Sequence, residues 1–209
     1  MFGDGSLSLR EFAMREPLPL ATIQDAILEF LRNRDDAVLF GAQAVNAYVD
    51  ESRMTQDVDI LSNSARELAE ELREHLAKKF TIATRVCSVA HDQGFRIYQL
   101  RQPKNRHLAD VRHVTAFPPC QVVSDLRVLT PAGVIAQKVS SSVMRASQPK
   151  GDTDRRDLKV MLLAFPELKT AEGPVAEQLR AANASDAVFD EWRRVVATEI
   201  SVPEEDEGF

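Results

Sequence analysis

The chain has few cysteines, a single tryptophan, no long apolar run and no excess of positive charge, and each shortage closes off a class of protein. Its two cysteines, Cys87 and Cys120, lie far apart and close to apolar residues. A disulfide framework needs more pairs and an oxidising compartment, so two reduced, partly buried thiols are expected. Two cysteines and four scattered histidines also leave no structural zinc pattern. No stretch approaches the roughly 20 consecutive apolar residues that span a bilayer. The opening residues, MFGDGSLSLREF, lack a basic segment followed by an apolar one, so no secretory signal is expected. The expected compartment is the cytoplasm, with no membrane association. A net charge of −6 argues against a dedicated nucleic-acid binder, and stable DNA binding is not expected. Part of that acidity sits in Pro203-Glu204-Glu205-Asp206-Glu207, and a local basic face is still expected around Arg145, Lys150, Arg155, Arg156 and Lys159.

What remains is the composition of a globular protein. With 44% hydrophobic and 28% charged residues over 209 positions, the chain can bury a core of useful size. Residues 1–20, with Pro17 and Pro19 and no clear period, read as an arm. Helical spacing of Ile23, Ala26, Ile27 and Phe30 follows, with Thr22 as the expected cap. Ala37-Val38-Leu39-Phe40 reads as a buried strand, Gly41 as a turn, and Ala42 to Tyr48 as a helix. Asp57 to Leu61 alternates as a half-buried strand does. Leu68, Leu72 and Leu76 mark an amphipathic helix over Ala65 to Lys79.

Strands are expected at Thr81–Val89, Phe95–Leu100 and His107–Val114, with Asp92-Gln93-Gly94 as a turn and Pro118-Pro119 closing the β region. Beyond Thr130-Pro131, a helix-start signal, four helical patterns run to residue 199. The expected organisation is an arm (1–20), an α/β core (21–118), a helical segment (119–200) and an acidic tail (201–209).

The chemistry concentrates at Asp57-Val58-Asp59. Period-two geometry puts both carboxylates on one face of a strand, where their repulsion calls for a cation such as Mg²⁺, a hard ion that takes oxygen ligands. Upstream, Gly41 lets the backbone approach a ligand, and the helix after it favours an anion. Between the two lie Arg53 and Thr55, a cation and a hydroxyl.

Arg53-x-Thr55-x-Asp57-x-Asp59, after an apolar strand and Gly41-Ala42, resembles the nucleotidyltransferase superfamily, in particular its AbiEii toxin-like branch and related uncharacterised proteins. The resemblance spans roughly residues 36 to 164. It implies an α/β (α+β) nucleotidyltransferase fold, a mixed sheet flanked by helices with a C-terminal helical segment. It also implies a third carboxylate from a later strand. Asp110 suits that place, and Asp92, beside Gln93 and Gly94, is the alternative. The family's lysine-bearing helix and its Asp-Leu helix correspond to Gln137-Lys138-Val139 and Asp154-Arg155-Arg156-Asp157-Leu158. Two departures stand out: Ala42 replaces a second Gly or Ser, and Asp154 stands three residues before Asp157, where arginine is usual.

The implied activity is transfer of a nucleoside monophosphate from an NTP to an acceptor, which is RNA (tRNA among them), a protein or a small molecule. Asp57, Asp59 and Asp110 would be catalytic and would bind Mg²⁺ (or Mn²⁺). Gly41, Ala42, Arg53, Thr55 and Lys138 would bind the nucleotide. A protein partner, as in toxin–antitoxin pairs, is also implied. The alternative is a catalytically inactive NTP-binding module of the same fold. Several residues carry two readings. Lys138 either meets phosphate or extends from a helix edge. Arg53 either serves the nucleotide or pairs with Asp57 or Asp50. Asp157 either belongs to the site or stabilises the helical half, and Gln43 and Asn46 either touch nucleotide or face solvent. His91, His107 and His113 show no ligand spacing. Trp192 is expected in the core.

Overall fold

The computed structural model describes residues 18–50 and 53–201. The expected arm lies largely, and the acidic tail almost wholly, outside them, as do residues 51 and 52. Leu20–Leu31 forms α1, followed by β1 (Ala37–Phe40), the short α2 (Gly41–Asn46), β2 (Val58–Ser62) and α3 (Ala65–Phe80). Strands β3 (Thr84–Val89), β4 (Gly94–Gln99), β5 (Arg106–His113), β6 (Cys120–Val123) and β7 (Leu126–Leu129) come next. The helical half comprises α4 (Pro131–Met144), α5 (Pro149–Ala164), α6 (Pro174–Ala181) and α7 (Asp186–Ala197), with a 3₁₀ turn at Pro166–Leu168.

The seven strands make one mixed sheet in the order β3-β4-β5-β2-β1-β7-β6. All four residues of β1 are buried, as befits an unbroken apolar run in a central strand. Helix α3 covers one face of β3, β4 and β5, and seats Leu68, Leu72 and Leu76 at its fully buried positions. Thr130 caps α4 by accepting from the Gly133 N–H, with Pro131 in the first turn. Helix α4 packs on α5, α6 and α7, and Trp192 is buried among them.

Two expectations need correction. Helix α1 begins at Leu20 after Pro19, so Thr22 lies inside it and does not cap it. Pro118-Pro119 does not end the β region, because β6 and β7 pair antiparallel and β7 joins β1 in parallel. Ser124 and Asp125 both have positive φ, the two-residue geometry that matches the twist of a tight hairpin. Among the described residues no helix is long and apolar enough to cross a membrane.

Candidate nucleotide and metal site

The site begins where β1 hands over to α2. Phe40 pairs with Asp59 across β1 and β2, and Asp59 stands in direct register with Asp110 on the parallel strand β5. Neighbouring strands lie about 4.8 Å apart, so the two carboxylates leave one sheet face side by side. Val58 and Ile60 point the other way and are fully buried. Asp57, just before β2, belongs to the Asp59 face. Asp92 lies in the β3–β4 turn, bonded to Ser88 and Arg66, beyond the C-terminal end of β5.

Gly41 has φ of 68°, and a Cβ built there would stand 2.1 Å from Asp59 Oδ2. Glycine is therefore required twice, by the left-handed backbone and by the carboxylate beside it. Gly41→Ala is expected to cost about 1–2 kcal/mol from the backbone conformation alone and to push the Asp59 side chain aside. Urea unfolding would measure the first effect, and a crystal structure of the variant the second.

Burial pushes the Asp59 carboxyl up to about 6, with the Asp57 and Asp110 charges adding to the shift and Arg112 opposing it. Asp57 moves the opposite way. Its hydrogen bond with His107 outweighs burial and holds it below the usual carboxylate range. The His107 Nδ1 lies 3.0 Å from Asp57 Oδ2, and its Nε2 lies 3.0 Å from the Ala109 carbonyl oxygen. Asp110 is flanked by Arg96 Nε at 3.6 Å and an Arg112 guanidinium nitrogen at 4.0 Å. So placed, Asp57 and Asp110 pair with side chains around them. Among the described residues no group of three or more His, Cys, Asp or Glu stands ready as a metal-ligand set.

The loop leading to Asp57 is anchored by side chains. Thr55 is buried, and its Oγ1 accepts from Gln24 at 2.9 Å and Gln43 at 3.0 Å. Asn46 donates to the Arg53 carbonyl at 2.9 Å and accepts the Arg53 N–H at 3.1 Å. Gln43 and Asn46 thus hold the loop in place. The Arg53 guanidinium makes a bidentate pair with Asp157, at 2.7 Å to each oxygen, rather than with Asp57.

Lys138, read from sequence as a phosphate contact or a helix-edge lysine, is 4% exposed. Its ammonium bonds Asp157 at 2.7 Å and Asp154 at 3.1 Å, and Arg145 closes on Asp154 at 2.9 Å. The reading of Lys138 as a helix-edge lysine is corrected by that burial, and the network already matches its charge. Asp154, the departure from the family pattern, is what supplies the second counter-charge. Gln137, one residue earlier, accepts the Gly41 N–H at 3.1 Å. Ala42 follows Gly41 in α2 and is half-buried.

Three further residues reach this site. Gln137 was legible only as a neighbour of Lys138. Lys150, at the start of α5, stands close enough for its charge to lower both Asp57 and Asp59. His107 was hidden by its numbering. Ile97 pairs with Ala109 but Tyr98 pairs with His107, so Leu108 is an extra residue in β5. Such a bulge re-aims the neighbouring side chain and brings His107 round to the face of Asp57 and Asp110.

No family model matches the sequence, and no curated protein matches it significantly. Solved structures do. The Megavirus polyadenylate synthase superposes with a TM-score of 0.54 at 13% identity, over 70% of this chain and 32% of that one. This chain thus spans about a third of that enzyme. A candidate nucleotidyltransferase from H. pylori superposes with a TM-score of 0.53 at 11% identity, over 91% of this chain and 94% of that one. The seven-stranded mixed sheet flanked by helices is the nucleotidyltransferase fold.

Proposed function

We propose that this protein is a metal-dependent nucleotidyltransferase, which moves a nucleoside monophosphate from an NTP to an acceptor. The observation that supports this best is the side-by-side register of Asp59 and Asp110, with Asp57 two residues away and the Gly41 backbone against Asp59. The donor set suits Mg²⁺ or Mn²⁺: three hard carboxylate oxygen groups crowd a site where Asp59 resists ionisation because of its burial and its neighbours. Asp57, Asp59 and Asp110 would hold the ion in competition with His107, Arg96 and Arg112. A bound divalent ion supplies charge compensation on the triphosphate oxygens.

The chain's own groups do the rest. A phosphate at Gly41-Ala42 would take over the N–H now given to Gln137. Arg53 and Thr55 keep the Asp57–Asp59 loop seated, and Lys150 offers the solvent-facing cation that Lys138 does not. Asp110 is the group to accept the acceptor hydroxyl's proton. The acceptor oxygen bonds the α-phosphorus while the bond to the β-bridging oxygen breaks and pyrophosphate leaves.

Incubation with each α-labelled NTP, Mg²⁺ and cell extract tests the reading. A labelled acceptor that disappears in EDTA is expected, and no label from any NTP would overturn it. Saturable NTP binding without transfer would favour the second reading, an inactive nucleotide-binding module. The sequestered Lys138 is the observation on that side. The likeness of Arg53-x-Thr55-x-Asp57-x-Asp59 to AbiEii-like toxins adds a cognate protein partner to the proposal. Two free thiols and an NTP substrate point to the cytoplasm as its place of action.

A further inference from the structure

The bulge at Leu108 turns His107 onto the carboxylate face, and three contacts then fix how its ring presents itself. Its Nε2 lies 3.0 Å from the Ala109 carbonyl oxygen. A carbonyl can only accept, so Nε2 carries the hydrogen and Nδ1 is the nitrogen left to turn outward. That Nδ1 lies 3.0 Å from Asp57 Oδ2. Tyr98, opposite His107 on β4, stacks on the ring with 5.0 Å between centroids and 30° between planes, which limits its swing. In a neutral ring so held, the Nδ1 lone pair faces a carboxylate oxygen. Two electron pairs at that distance need a proton or a cation between them.

We propose that His107 is itself a ligand of the metal, through Nδ1 beside Asp57, and that it makes the site prefer Mn²⁺ to Mg²⁺. The proposal rests on the metal-dependent nucleotidyl-transfer reading above, and adds one nitrogen to its three carboxylates. A histidine that binds a metal through one ring nitrogen almost always donates the other N–H to a backbone carbonyl, a carboxylate or water. That bond fixes its tautomer and orientation, and Ala109 provides the carbonyl here. At ligand bonds of about 2.1 Å, atoms 3.0 Å apart subtend roughly 90° at a shared ion, the angle between neighbouring ligands of an octahedron. His107 then passes from a rival for Asp57 to a fellow ligand. Mg²⁺ takes hard oxygens and keeps several waters, whereas imidazole nitrogen suits first-row transition ions. Mn²⁺ is the member of that series that carboxylates suit as well. A plain ion pair between His107 and Asp57 is the competing account, and the two differ in what a bound ion touches.

The test is electron paramagnetic resonance of Mn²⁺ titrated into the full chain at neutral pH without nucleotide, comparing wild type, His107→Phe and Asp59→Asn. Phenylalanine keeps the stack on Tyr98 and removes both nitrogens, and thermal midpoints in EDTA report whether each variant is folded. Wild type is expected to bind Mn²⁺ saturably, with spin-echo modulation from a directly bound ¹⁴N. That modulation should vanish in His107→Phe, with Mn²⁺ affinity lower by at least about tenfold, the loss that even outer-shell changes cause. The Mg²⁺ concentration that displaces Mn²⁺ should fall by a similar factor. Asp59→Asn should also weaken Mn²⁺ binding, which places the ion at these carboxylates. Histidine-selective ¹⁵N labelling of the wild type assigns the modulation to imidazole without any substitution. Bound Mn²⁺ with no ¹⁴N modulation, or with the same modulation in His107→Phe, overturns the proposal and leaves His107 as a counter-ion of Asp57. Failure of the wild type to bind Mn²⁺ overturns it too. Incorporation of α-labelled NTP, assayed separately, keeps the two readings apart. Transfer with Mn²⁺ but no ¹⁴N modulation removes only the histidine ligand. Modulation from His107 with no transfer from any NTP removes only nucleotidyl transfer.

Discussion

Replacing Asp59 with asparagine is expected to abolish nucleotide transfer and, in EDTA at neutral pH, to raise the stability of the protein. The two effects have one cause. Asp59 sits between the charges of Asp57 and Asp110 in a largely buried position, which raises its carboxyl to about 6. The folded state therefore binds this proton more tightly than the unfolded chain. Stability from the protonated form is fully present below the ordinary carboxyl range and is lost as pH rises through about 6. Above that pH an ionised Asp59 costs the apo protein on the order of 2–3 kcal/mol. The Asp59→Asn variant carries no such cost, so its thermal midpoint in EDTA should exceed wild type by about 5 °C at pH 7–8 and match it near pH 4. Transfer should fall by ~10²-fold or more, the scale seen when comparable electrostatic groups are removed. Thermal melts across pH and α-labelled NTP incorporation check the two halves. Equal incorporation by the variant would remove Asp59 from the catalytic centre.

Asp157→Ala is expected to destabilise the fold by roughly 3–5 kcal/mol, because it leaves two cations facing an uncharged void. Asp157 is wholly buried and holds Arg53 through two hydrogen bonds and Lys138 through a third. Burial alone would raise its carboxyl, but the Arg53 hydrogen bonds and Lys138 outweigh burial and lower it. Its contribution is thus present above the usual carboxyl range and is lost as pH falls through the lowered value. Urea unfolding at neutral pH should show the full loss, and the gap to wild type should narrow in acid. Lys138→Met is the informative companion, since it removes a buried charge and leaves Asp157 with its Arg53 pair. It should cost less than Asp157→Ala. A smaller loss for Asp157→Ala than for Lys138→Met would show that Asp157 is not the hub of the network.

Much of the α/β half was legible because its signals are local. The run Ala37–Phe40 has only apolar side chains and becomes a buried strand over those residues. Leu68, Leu72 and Leu76 share a helix face by spacing alone. Thr130-Pro131 carries its own cap. The hairpin of β6 and β7 was missed because Pro118-Pro119 is a strong stop signal. Ser124-Asp125 is a weaker turn signal than the Asn-Gly or Asp-Gly pairs that usually mark a hairpin. Joining β7 to β1 also required a long-range pairing with no local mark.

The sequence by itself determined the face shared by Asp57 and Asp59, since residues two apart in a regular strand point the same way. It also determined that Gly41 stands where a chain must turn. Only the tertiary structure decided what these groups meet. Arg53 and Asp157 are 104 positions apart, and nothing in either neighbourhood records that one guanidinium fits the other's carboxylate. Lys138 became an interior counter-ion because two aspartates of α5 face it across a helix–helix contact. His107 reached Asp57 because one extra residue, Leu108, reverses the alternation of β5. A bulge is a property of two paired strands, so the sequence of one of them cannot display it.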